Sequence, residues 1–469
     1  MAHHDIDVAI IGAGTAGLAA ERSARRDGAR TLLIDEAFRG TLCANTGCMP
    51  SKLLIAAANA AHNARGTGVF GVDVGHVEVD GQGVLERVRR ERDKFVKATR
   101  ASFDTLPAGT CIQARAHFTG QNALTLDNGD TVSAKAIVIA TGSYARIPEP
   151  FEGLGDLALT NESVFEMQDL PASLAVIGGG AIGLELAQAM SRLGVDTVLF
   201  DHGDTLGGAQ DSDVQAALVD IIGEELPLHL GVDVNVEKLD GRVQLSWSGA
   251  SSGMRAFDRV LVATGRPPAF DGLGLDAAGL ELDEHGVPVF DRTTMQCGDT
   301  PVFIAGDVNA DAALLHEASD EGSVAGSNAA AFPSMDAHPR MPTFTLTFSD
   351  PPLAILGEGP DENTLTGCAS YADQGRAKVE ARAKGLVRLY AAAPDGRLTG
   401  AELFCPGADH MAHLLIHAIQ RGETASDLLK MPFYHPTLEE GLKSALREIC
   451  AATPVALPIG RGTNDPPGA

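Results

Sequence analysis

Cys43 and Cys48, five positions apart, are the residues of this chain best suited to chemistry. They are followed by Pro50 and Lys52, and then by an apolar, alanine-rich run that favours a helix. Proline suits the first turn of a helix, so Cys48 is expected near the positive helix end, where a thiol loses its proton more readily. A thiolate in that position attacks disulfides. The segment therefore predicts a redox-active dithiol.

The spacing of the two cysteines requires a bend between them. On a regular helix the Cα atoms of residues i and i+5 lie about 8.6 Å apart, whereas a disulfide needs less than roughly 7 Å. Gly47 supplies the backbone freedom for this bend. A structural zinc site would need closer spacing and a second Cys or His pair, and a staple closing so short a loop contributes only about 2 kcal/mol. Both alternatives are weaker than the redox pair, and no metal site is predicted.

A glycine pattern typical of dinucleotide binding lies at the N-terminus. An apolar strand leads to Gly12, Gly14 and Gly17, and after a helix a second strand ends in Asp35, 23 residues after Gly12. Gly12 suits a tight turn, Gly14 lets the backbone approach a pyrophosphate at the helix N-terminus, and Gly17 lets the helix pack on the strand. Asp35 is placed to bind a ribose hydroxyl pair.

The same pattern recurs in the middle of the chain. Gly178, Gly180 and Gly183 follow an apolar strand, and Asp201 ends the next strand, again 23 residues after the first glycine. Two complete patterns predict two dinucleotide-binding folds in one chain.

Three later segments extend this organisation. Each glycine pattern is followed by an apolar strand ending in Ala-Thr-Gly, at residues 140–142 and 263–265. One such tripeptide would be an ordinary strand exit, but its repetition favours a positional role. A further apolar strand ends in Gly306-Asp307, and from about Met341 the nucleotide pattern gives way to signals for strands and two helices.

Composition limits the classes of partner. The formal net charge is −26, from 36 Lys and Arg against 62 Asp and Glu, which argues against nucleic-acid and anionic-membrane partners. The chain is 44% hydrophobic but has no apolar run of membrane-spanning length. Seven cysteines, an odd number, and an N-terminus without a signal-peptide pattern indicate a reducing compartment. We therefore expect a soluble, cytoplasmic protein.

The chain resembles the pyridine nucleotide–disulfide oxidoreductases over nearly its whole length, and within them the dihydrolipoamide dehydrogenase group. The resemblance is carried, in order, by the first glycine pattern, residues 43–52, 140–142, the second glycine pattern with Glu185, and residues 263–267, 304–307 and 435–440. It implies an α/β fold with two Rossmann-like dinucleotide-binding domains and a C-terminal α+β dimerisation domain. The implied domains are an FAD-binding domain in two segments (1–146 and 273–340), an NAD-binding domain (147–272), an interface domain (341–452) and a flexible tail (453–469).

The resemblance also implies which residues hold the cofactors. The first unit would hold FAD, with Asp35 on its adenosine ribose and Asp307 on its ribitol chain, and the second unit would hold NAD. Lys52 and Glu185 would pair beside the flavin, although an acid such as Glu185 also suits a helix start. The implied FAD contacts are Gly12, Gly14, Gly17, Asp35, Lys52, Thr141, Gly142, Asp307 and His316, and the implied NAD contacts are Gly178, Gly180, Gly183, Asp201 and Gly265.

The redox chemistry is implied to involve two pairs of residues. Cys43 would exchange with substrate and Cys48 would lie near the flavin. His435, oriented by Glu440, would take the proton from the substrate thiol. Thr437 and Glu440 also fit a capping box, which is a structural alternative for Glu440. His435 of one chain would serve Cys43 of the other, so the active protein would be a homodimer with shared sites.

These roles imply dihydrolipoamide oxidation, with electrons passing through the dithiol and FAD to NAD. The lipoyl group would belong to a partner carrier protein. NAD is favoured over NADP because Asp201 repels a 2′-phosphate and residues 202–206 contain no arginine. The alternatives are a related reductase for a glutathione-like disulfide or a special lipoyl carrier, and a non-catalytic flavoprotein assembly subunit. The complete set of catalytic residues argues against the last.

Overall fold

The computed structural model describes residues 1–454, so residues 455–469 of the predicted tail lie outside the described part. The chain forms two compact units, each built from three segments. The first comprises Met1–Leu53, Glu86–Arg146 and Gly265–Arg340, and the second comprises Leu54–Leu85, Ile147–Thr264 and the chain from Met341. Within residues 1–454 no helix is both long and apolar enough to cross a membrane. The domain boundaries expected from the sequence remain a prediction.

A mainly parallel sheet organises the first unit. Strand His3–Ile11 lies between Thr31–Asp35 and Thr131–Ile139, and its last four residues are buried. The register aligns the carboxyl ends of these strands, which is the edge where such sheets bind nucleotides. Cys111–Gln113 pairs in parallel with Thr31–Asp35, and Val302–Ile304 pairs in parallel with Thr131–Ile139. Ala123–Leu126 pairs antiparallel with both Thr131–Ile139 and Ala116–Gly120.

Two helices of the first unit pack together at very short distance. Helix Thr15–Arg26 follows the first strand and contacts helix Leu315–Ala331. A Cβ added at Gly322 would lie 2.2 Å from the carbonyl oxygen of Ala16, and one at Gly306 would lie 2.8 Å from the Ala16 side chain. Because only glycine permits this approach, the turn at Gly306 lies beside the start of the first helix.

The second unit repeats the nucleotide-binding architecture. Its parallel sheet has the order Leu228–His229, Asp196–Phe200, Ser173–Ile177, Arg259–Val262 and Ala158–Leu159. Helix Ala181–Arg192 connects two neighbouring strands of this sheet, as Thr15–Arg26 does in the first unit. An antiparallel meander follows, formed by Val232–Leu239, Arg242–Gly249 and Gly253–Phe257.

The C-terminal part of the second unit is an antiparallel sheet covered by helices. The strand order is Phe344–Thr347, Leu353–Gly357, Arg397–Phe404, Leu386–Ala392 and Thr364–Ser370. Helices Ala408–Arg421 and Leu442–Ala451 bury their apolar faces in the core of this part, where Leu415 and Leu446 are almost inaccessible. Two Rossmann-like sheets and a C-terminal α+β layer confirm the predicted fold class.

Three of the remaining helices are long: Cys48–Arg65, Gly81–Phe103 and Ser212–Gly223. The short ones are Leu42–Asn45, Glu149–Glu152, Leu275–Ala278, Gly375–Val379 and Ala425–Leu429, and 3-10 turns lie at Gly66–Phe70, Gly155–Leu157, Val164–Glu166, Asp307–Asn309 and Glu439–Gly441. Capping explains where some of them begin. Asp211, for example, accepts the N–H groups of the first turn of Ser212–Gly223.

Candidate active site

The two cysteines lie on either side of a helix break. Cys43 belongs to the helical turn Leu42–Asn45, and Cys48 is the first residue of helix Cys48–Arg65, as predicted. A Cβ added at Gly47 would lie 3.1 Å from the Cα atom of Cys43. The chain packs closely at Gly47, so a side chain there would require its neighbours to shift. The φ angle of Gly47 is not in the left-handed region, which corrects the reason expected from the sequence.

Two polar side chains fix the turn that carries Cys43. The hydroxyl of Thr41 caps the turn by accepting the N–H of Ala44 at 3.3 Å. Nδ2 of Asn45 donates to the carbonyl oxygens of Arg39 at 3.1 Å and Thr41 at 2.9 Å. Neither residue was predicted as part of the site, although a threonine just before a helical turn is a capping signal. The position of Cys43 is thus set by contacts to its own loop.

The side chains of Cys43 and Cys48 lie within hydrogen-bonding distance of each other. The hydrogen bond to Cys48, then burial and the charge of Cys48, raise the pKa of Cys43 far above its usual value. The positive charge of Lys52 opposes this shift and is outweighed. With Cys48 as its neighbour, Cys43 therefore loses its proton less readily than a free thiol, and the two groups titrate as a pair.

A cavity of about 260 Å³ opens in the first unit beside both thiols. Its walls include eight of the predicted site residues: Gly12, Gly14, Asp35, Cys43, Cys48, Thr141, Gly142 and Asp307. Gly17, Lys52 and His316 are not part of the described lining, and the His316 side chain is 48% exposed. The structure therefore brings the thiols and the first glycine pattern together in one pocket.

The first glycine turn is built against the Ala-Thr-Gly tripeptide. Gly12 has a φ angle of 105°, and a Cβ there would lie 2.3 Å from the carbonyl oxygen of Ala140. A Cβ at Gly17 would lie 1.8 Å from the carbonyl oxygen of Gly12. Gly14 differs, because an added Cβ would meet nothing within 4 Å. The fold itself requires Gly12 and Gly17, whereas Gly14 borders open space.

Acids at both sides of this pocket are held by local hydrogen bonds. Asp35 accepts the backbone N–H groups of Ala13 at 2.9 Å and Phe38 at 2.7 Å. Asp307 accepts the hydroxyl of Ser143 at 2.8 Å. Ser143, which directly follows the first tripeptide, was not identified from the sequence. Both carboxylates retain lone pairs for a ligand, because each oxygen accepts more than one hydrogen bond.

The pocket fits the FAD that the resemblance implies. The hydroxyl oxygen of Thr141 is buried without a hydrogen-bond partner, although such groups are normally satisfied. Thr141 also lines the cavity, next to the open space at Gly14. An unsatisfied hydroxyl and an open backbone cradle at a helix N-terminus suit a polar, phosphate-bearing group.

The second glycine pattern repeats this geometry in the second unit. Gly178 has a φ angle of 111°, and its Cβ would lie 2.4 Å from the carbonyl oxygen of Ala263. A Cβ at Gly183 would lie 1.9 Å from the carbonyl oxygen of Gly178, while one at Gly180 would meet nothing within 4 Å. The alanine carbonyl of each tripeptide thus supports the first glycine, which confirms the positional role expected from the repetition.

The acid of the second pattern is held in the same way as that of the first. Asp201 accepts the N–H of Gly179 with one oxygen and the N–H of Gly203 with the other, the latter at 2.6 Å. Gly265, at the end of the second tripeptide, has a φ angle of 127° and open space where a Cβ would project. Both features fit a nucleotide bound across this edge of the sheet.

Glu185 and Lys52 are each fixed within their own unit. Glu185 lies in the second turn of helix Ala181–Arg192, is 6% exposed and accepts the N–H of Phe348 at 2.9 Å. The alternative of a first-turn acid at a helix start is therefore wrong. Nζ of Lys52 lies 3.3 Å from Oγ of Ser51. The pairing of Glu185 with Lys52 stays a prediction.

His435 and Glu440 are in contact. Nδ1 of His435 lies 2.9 Å from Oε2 of Glu440, and the two side chains are 64% and 4% exposed. Oε2 of Glu440 also accepts the N–H of Thr437 at 3.2 Å, as in a capping box, but the Thr437 hydroxyl donates to the carbonyl of Tyr434 instead of completing the box. With its Nδ1–H directed to Glu440, the imidazole has Nε2 as its basic nitrogen.

Comparison with known proteins finds relatives over nearly the whole chain. The chain matches the pyridine nucleotide-disulphide oxidoreductase family over residues 6–322 and the dimerisation domain of that family over residues 343–446. It is 31% identical over 456 residues to the dihydrolipoyl dehydrogenase of Thermus scotoductus, which covers 94% of this chain and 96% of that protein. For the dihydrolipoyl dehydrogenase of Bacillus subtilis the identity is 29%, with 94% and 97% covered.

A solved structure shares the fold. The Cu(II) complex of the HOCl-induced flavoprotein disulfide reductase RclA from Escherichia coli matches with a TM-score of 0.81 at 21% identity, over 95% of this chain and 99% of that one. The family implies FAD and a pyridine nucleotide as cofactors, and the dimerisation domain supports a homodimer. With the family's two models matching both the nucleotide-binding and the C-terminal regions, the chain belongs to the pyridine nucleotide–disulphide oxidoreductases.

Proposed function

We propose that this protein is an FAD-dependent dihydrolipoyl dehydrogenase, which reoxidises protein-bound dihydrolipoyl groups and reduces NAD. The observation that carries the proposal is the pocket of the first unit, which Cys43 and Cys48 share with Gly14, Thr141 and Asp307. A dithiol at the wall of a nucleotide pocket is suited to passing electrons to a bound flavin. Relatives of this name, at 29% to 31% identity over nearly the whole chain, support the substrate class.

In the proposed reaction the dihydrolipoyl group transfers two electrons to the Cys43–Cys48 disulfide. A substrate thiolate attacks Cys43 and the bond to Cys48 breaks; the second substrate thiol then displaces Cys43, which releases the lipoyl disulfide and leaves two enzyme thiols. The pocket lined by Cys48, Thr141 and Asp307 would hold FAD, which would supply a two-electron acceptor for the dithiol and a hydride donor for NAD. Cys48 is the first residue of its helix, where the partial positive charge of the helix N-terminus favours a thiolate.

Protons are handled by His435. Its Nε2 takes the proton of the attacking substrate thiol, while Glu440 holds Nδ1 and stabilises the imidazolium that forms. The Glu440 side chain is buried and the His435 side chain is exposed. The carboxylate is therefore held in place while the imidazole remains accessible to substrate. His435 of one chain serves Cys43 of the other in the proposed homodimer, and a separate carrier protein supplies the lipoyl group.

The second unit is proposed to hold NAD, with Asp201 on the adenosine ribose. A carboxylate there binds the 2′-hydroxyl and repels a 2′-phosphate. The turn after Asp201 offers no arginine between residues 202 and 206 to receive that phosphate. The remaining proposed contacts are Gly178, Gly180, Gly183 and Gly265 for NAD, and Lys52, Glu185 and His316 beside the flavin.

The test is NADH formation by FAD-loaded protein given dihydrolipoamide and NAD, with NADP in a parallel assay. We expect turnover with NAD at least about 100 times that with NADP. The 2′-phosphate of NADP would be repelled by Asp201 and would find no arginine in residues 202–206. Absence of turnover in a protein whose flavin NADH still reduces would reject the lipoyl substrate and retain the disulfide chemistry. A flavin that neither nicotinamide reduces would reject the assignment of the second unit.

A further inference from the structure

One buried hydroxyl holds the irregular segment that carries His435. Residues 431–438 form neither helix nor strand. Tyr371 is fully buried, and its hydroxyl donates to the carbonyl oxygen of Leu438 at 2.8 Å. The hydroxyl also lies 3.1 Å from Sδ of Met411, but a carbonyl is the stronger acceptor. Burial raises the pKa of Tyr371 well above its usual value, so the hydroxyl stays protonated and remains a donor.

A buried amide holds the preceding carbonyl. Nε2 of Gln374 donates to the carbonyl oxygen of Thr437 at 2.7 Å, and its Oε1 accepts the N–H of Ala377, also at 2.7 Å. Gln374 is 5% exposed, and because both ends of its amide are engaged, its orientation is fixed. Tyr371 also packs against the 3-10 turn that carries Glu440, since a Cβ added at Gly441 would lie 2.7 Å from the tyrosine hydroxyl oxygen.

We propose that Tyr371 and Gln374 are positioning residues that keep His435 aligned on Glu440 during thiol chemistry. The two carbonyls that they hold belong to residues 437 and 438, which lie between the histidine and its carboxylate in the chain. Removing either donor leaves a partly buried carbonyl without its hydrogen bond, and the segment shifts to restore one. The inference rests on the function proposed above, in which His435 is the base.

The test compares Tyr371→Phe with Tyr390→Phe in the FAD-loaded, full-length protein. Tyr390 is a matched control, because it is 1% exposed in the same C-terminal part and its hydroxyl lies 3.3 Å from Glu402, a residue with no assigned role in the reaction. Two rates are measured: NADH formation from dihydrolipoamide, and NADH-driven reduction of ferricyanide, which bypasses the substrate thiol. We expect Tyr371→Phe to lower kcat of the first about tenfold and to leave the second unchanged. Tyr390→Phe should leave both rates unchanged.

The His435→Gln background separates positioning from a general structural effect. If Tyr371 acts through His435, Tyr371→Phe causes no further loss in that background. The same tenfold loss there overturns the inference, and so does a Tyr371→Phe protein that behaves like Tyr390→Phe. Gln374→Met provides the same comparison if Tyr371→Phe does not fold. If His435→Gln alone forms NADH at the wild-type rate, the proposed role of His435 is rejected, and the inference is rejected with it.

Discussion

At the scale of single residues, glycines of one motif serve different physical ends. In the second pattern a Cβ at Gly183 would lie 1.9 Å from the carbonyl oxygen of Gly178, whereas one at Gly180 would meet nothing within 4 Å. Gly183 permits the close packing of the fold, whereas Gly180 leaves room for a ligand. The two positions are therefore separable by experiment.

Substitution by alanine should mainly affect stability at Gly183 and NAD binding at Gly180. Gly183→Ala should lower the free energy of unfolding by about 3 kcal/mol, because backbone has to move to admit the methyl group. Gly180→Ala, at the helix N-cap, should cost less than about 1 kcal/mol but raise KM for NAD by about tenfold or more. Urea unfolding and NAD titration measure the two effects. Equal stability of the two variants would contradict this division of roles.

The charge of Asp201 should set the choice of nicotinamide cofactor. Asp201→Asn removes the repulsion of a 2′-phosphate, and we expect the ratio of kcat/KM for NAD over NADP to fall about tenfold. Asp204→Asn, an exposed acid nearby, is the control and should leave the ratio unchanged. The measurement is steady-state kinetics with both nucleotides. A ratio unaffected by Asp201→Asn would assign the selectivity to other groups.

At the scale of secondary-structure elements, the redox pair depends on the break between two helices. A Cβ at Gly47 would lie 3.0 Å from the Leu42 side chain and 3.1 Å from the Cα atom of Cys43. Gly47→Ala should therefore displace Cys43 from Cys48 and slow disulfide formation in the reduced enzyme about tenfold. Gly66→Ala, where an added Cβ meets nothing within 4 Å, is the control. Stopped-flow reoxidation measures the rate, and equal rates for both variants would refute the role of the break.

A buried ion cluster ties helix Ala181–Arg192 to the C-terminal part of the second unit. The Arg192 side chain is 4% exposed and contacts Glu225 at 2.6 Å and Asp350 at 2.9 Å. Arg382 contacts the other oxygen of Asp350 at 3.1 Å. Burial alone would raise the pKa of Asp350, but the charges and hydrogen bonds of Arg192 and Arg382 outweigh it and hold this pKa below its usual value of 3.8.

The lowered pKa of Asp350 gives a pH dependence of known sign. A carboxyl whose folded-state pKa is depressed stabilises the fold above its unfolded pKa of about 3.8, and this stability is lost as the pH falls through the lower folded value. Asp350→Asn should cost about 2 kcal/mol at pH 7, and the difference from wild type should shrink as the pH falls below 3.8. Urea unfolding at several pH values measures this difference. Asp240→Asn, at an exposed turn, is the control, and a constant difference for Asp350→Asn would contradict the argument.

At the scale of the whole molecule, shared active sites in a homodimer can be tested by mixing impaired variants. The Cys43→Ser homodimer should be inactive with dihydrolipoamide, and the His435→Gln homodimer should keep only about a hundredth of the wild-type rate. After subunit exchange, half of the dimers are mixed and each of these regains one intact site, so about a quarter of wild-type activity should return. Sites built from a single chain would regain none.

Much of the fold was predictable because its signals are local. The strand Thr31–Asp35 ends at the predicted residue, because its apolar run meets a charged side chain there, and a helix begins at Cys48, where the positive end of a helix was expected. Strands Leu353–Gly357 and Thr364–Ser370 were not predicted. Their position depends on pairing with partners distant in sequence, such as Arg397–Phe404 and Leu386–Ala392, which no local pattern records.

The sequence by itself determined the family and the two nucleotide folds, and it predicted which thiols react. Those conclusions rest on residue types at fixed short spacing, which encode turns, caps and helix starts directly. Only the tertiary structure decided that Cys43 and Cys48 share a pocket with Thr141, that the chain packs closely at Gly47, and that Tyr371 holds the segment of His435. These relations join residues from separate parts of the chain or depend on distances of a few tenths of an ångström, which only the packed structure defines.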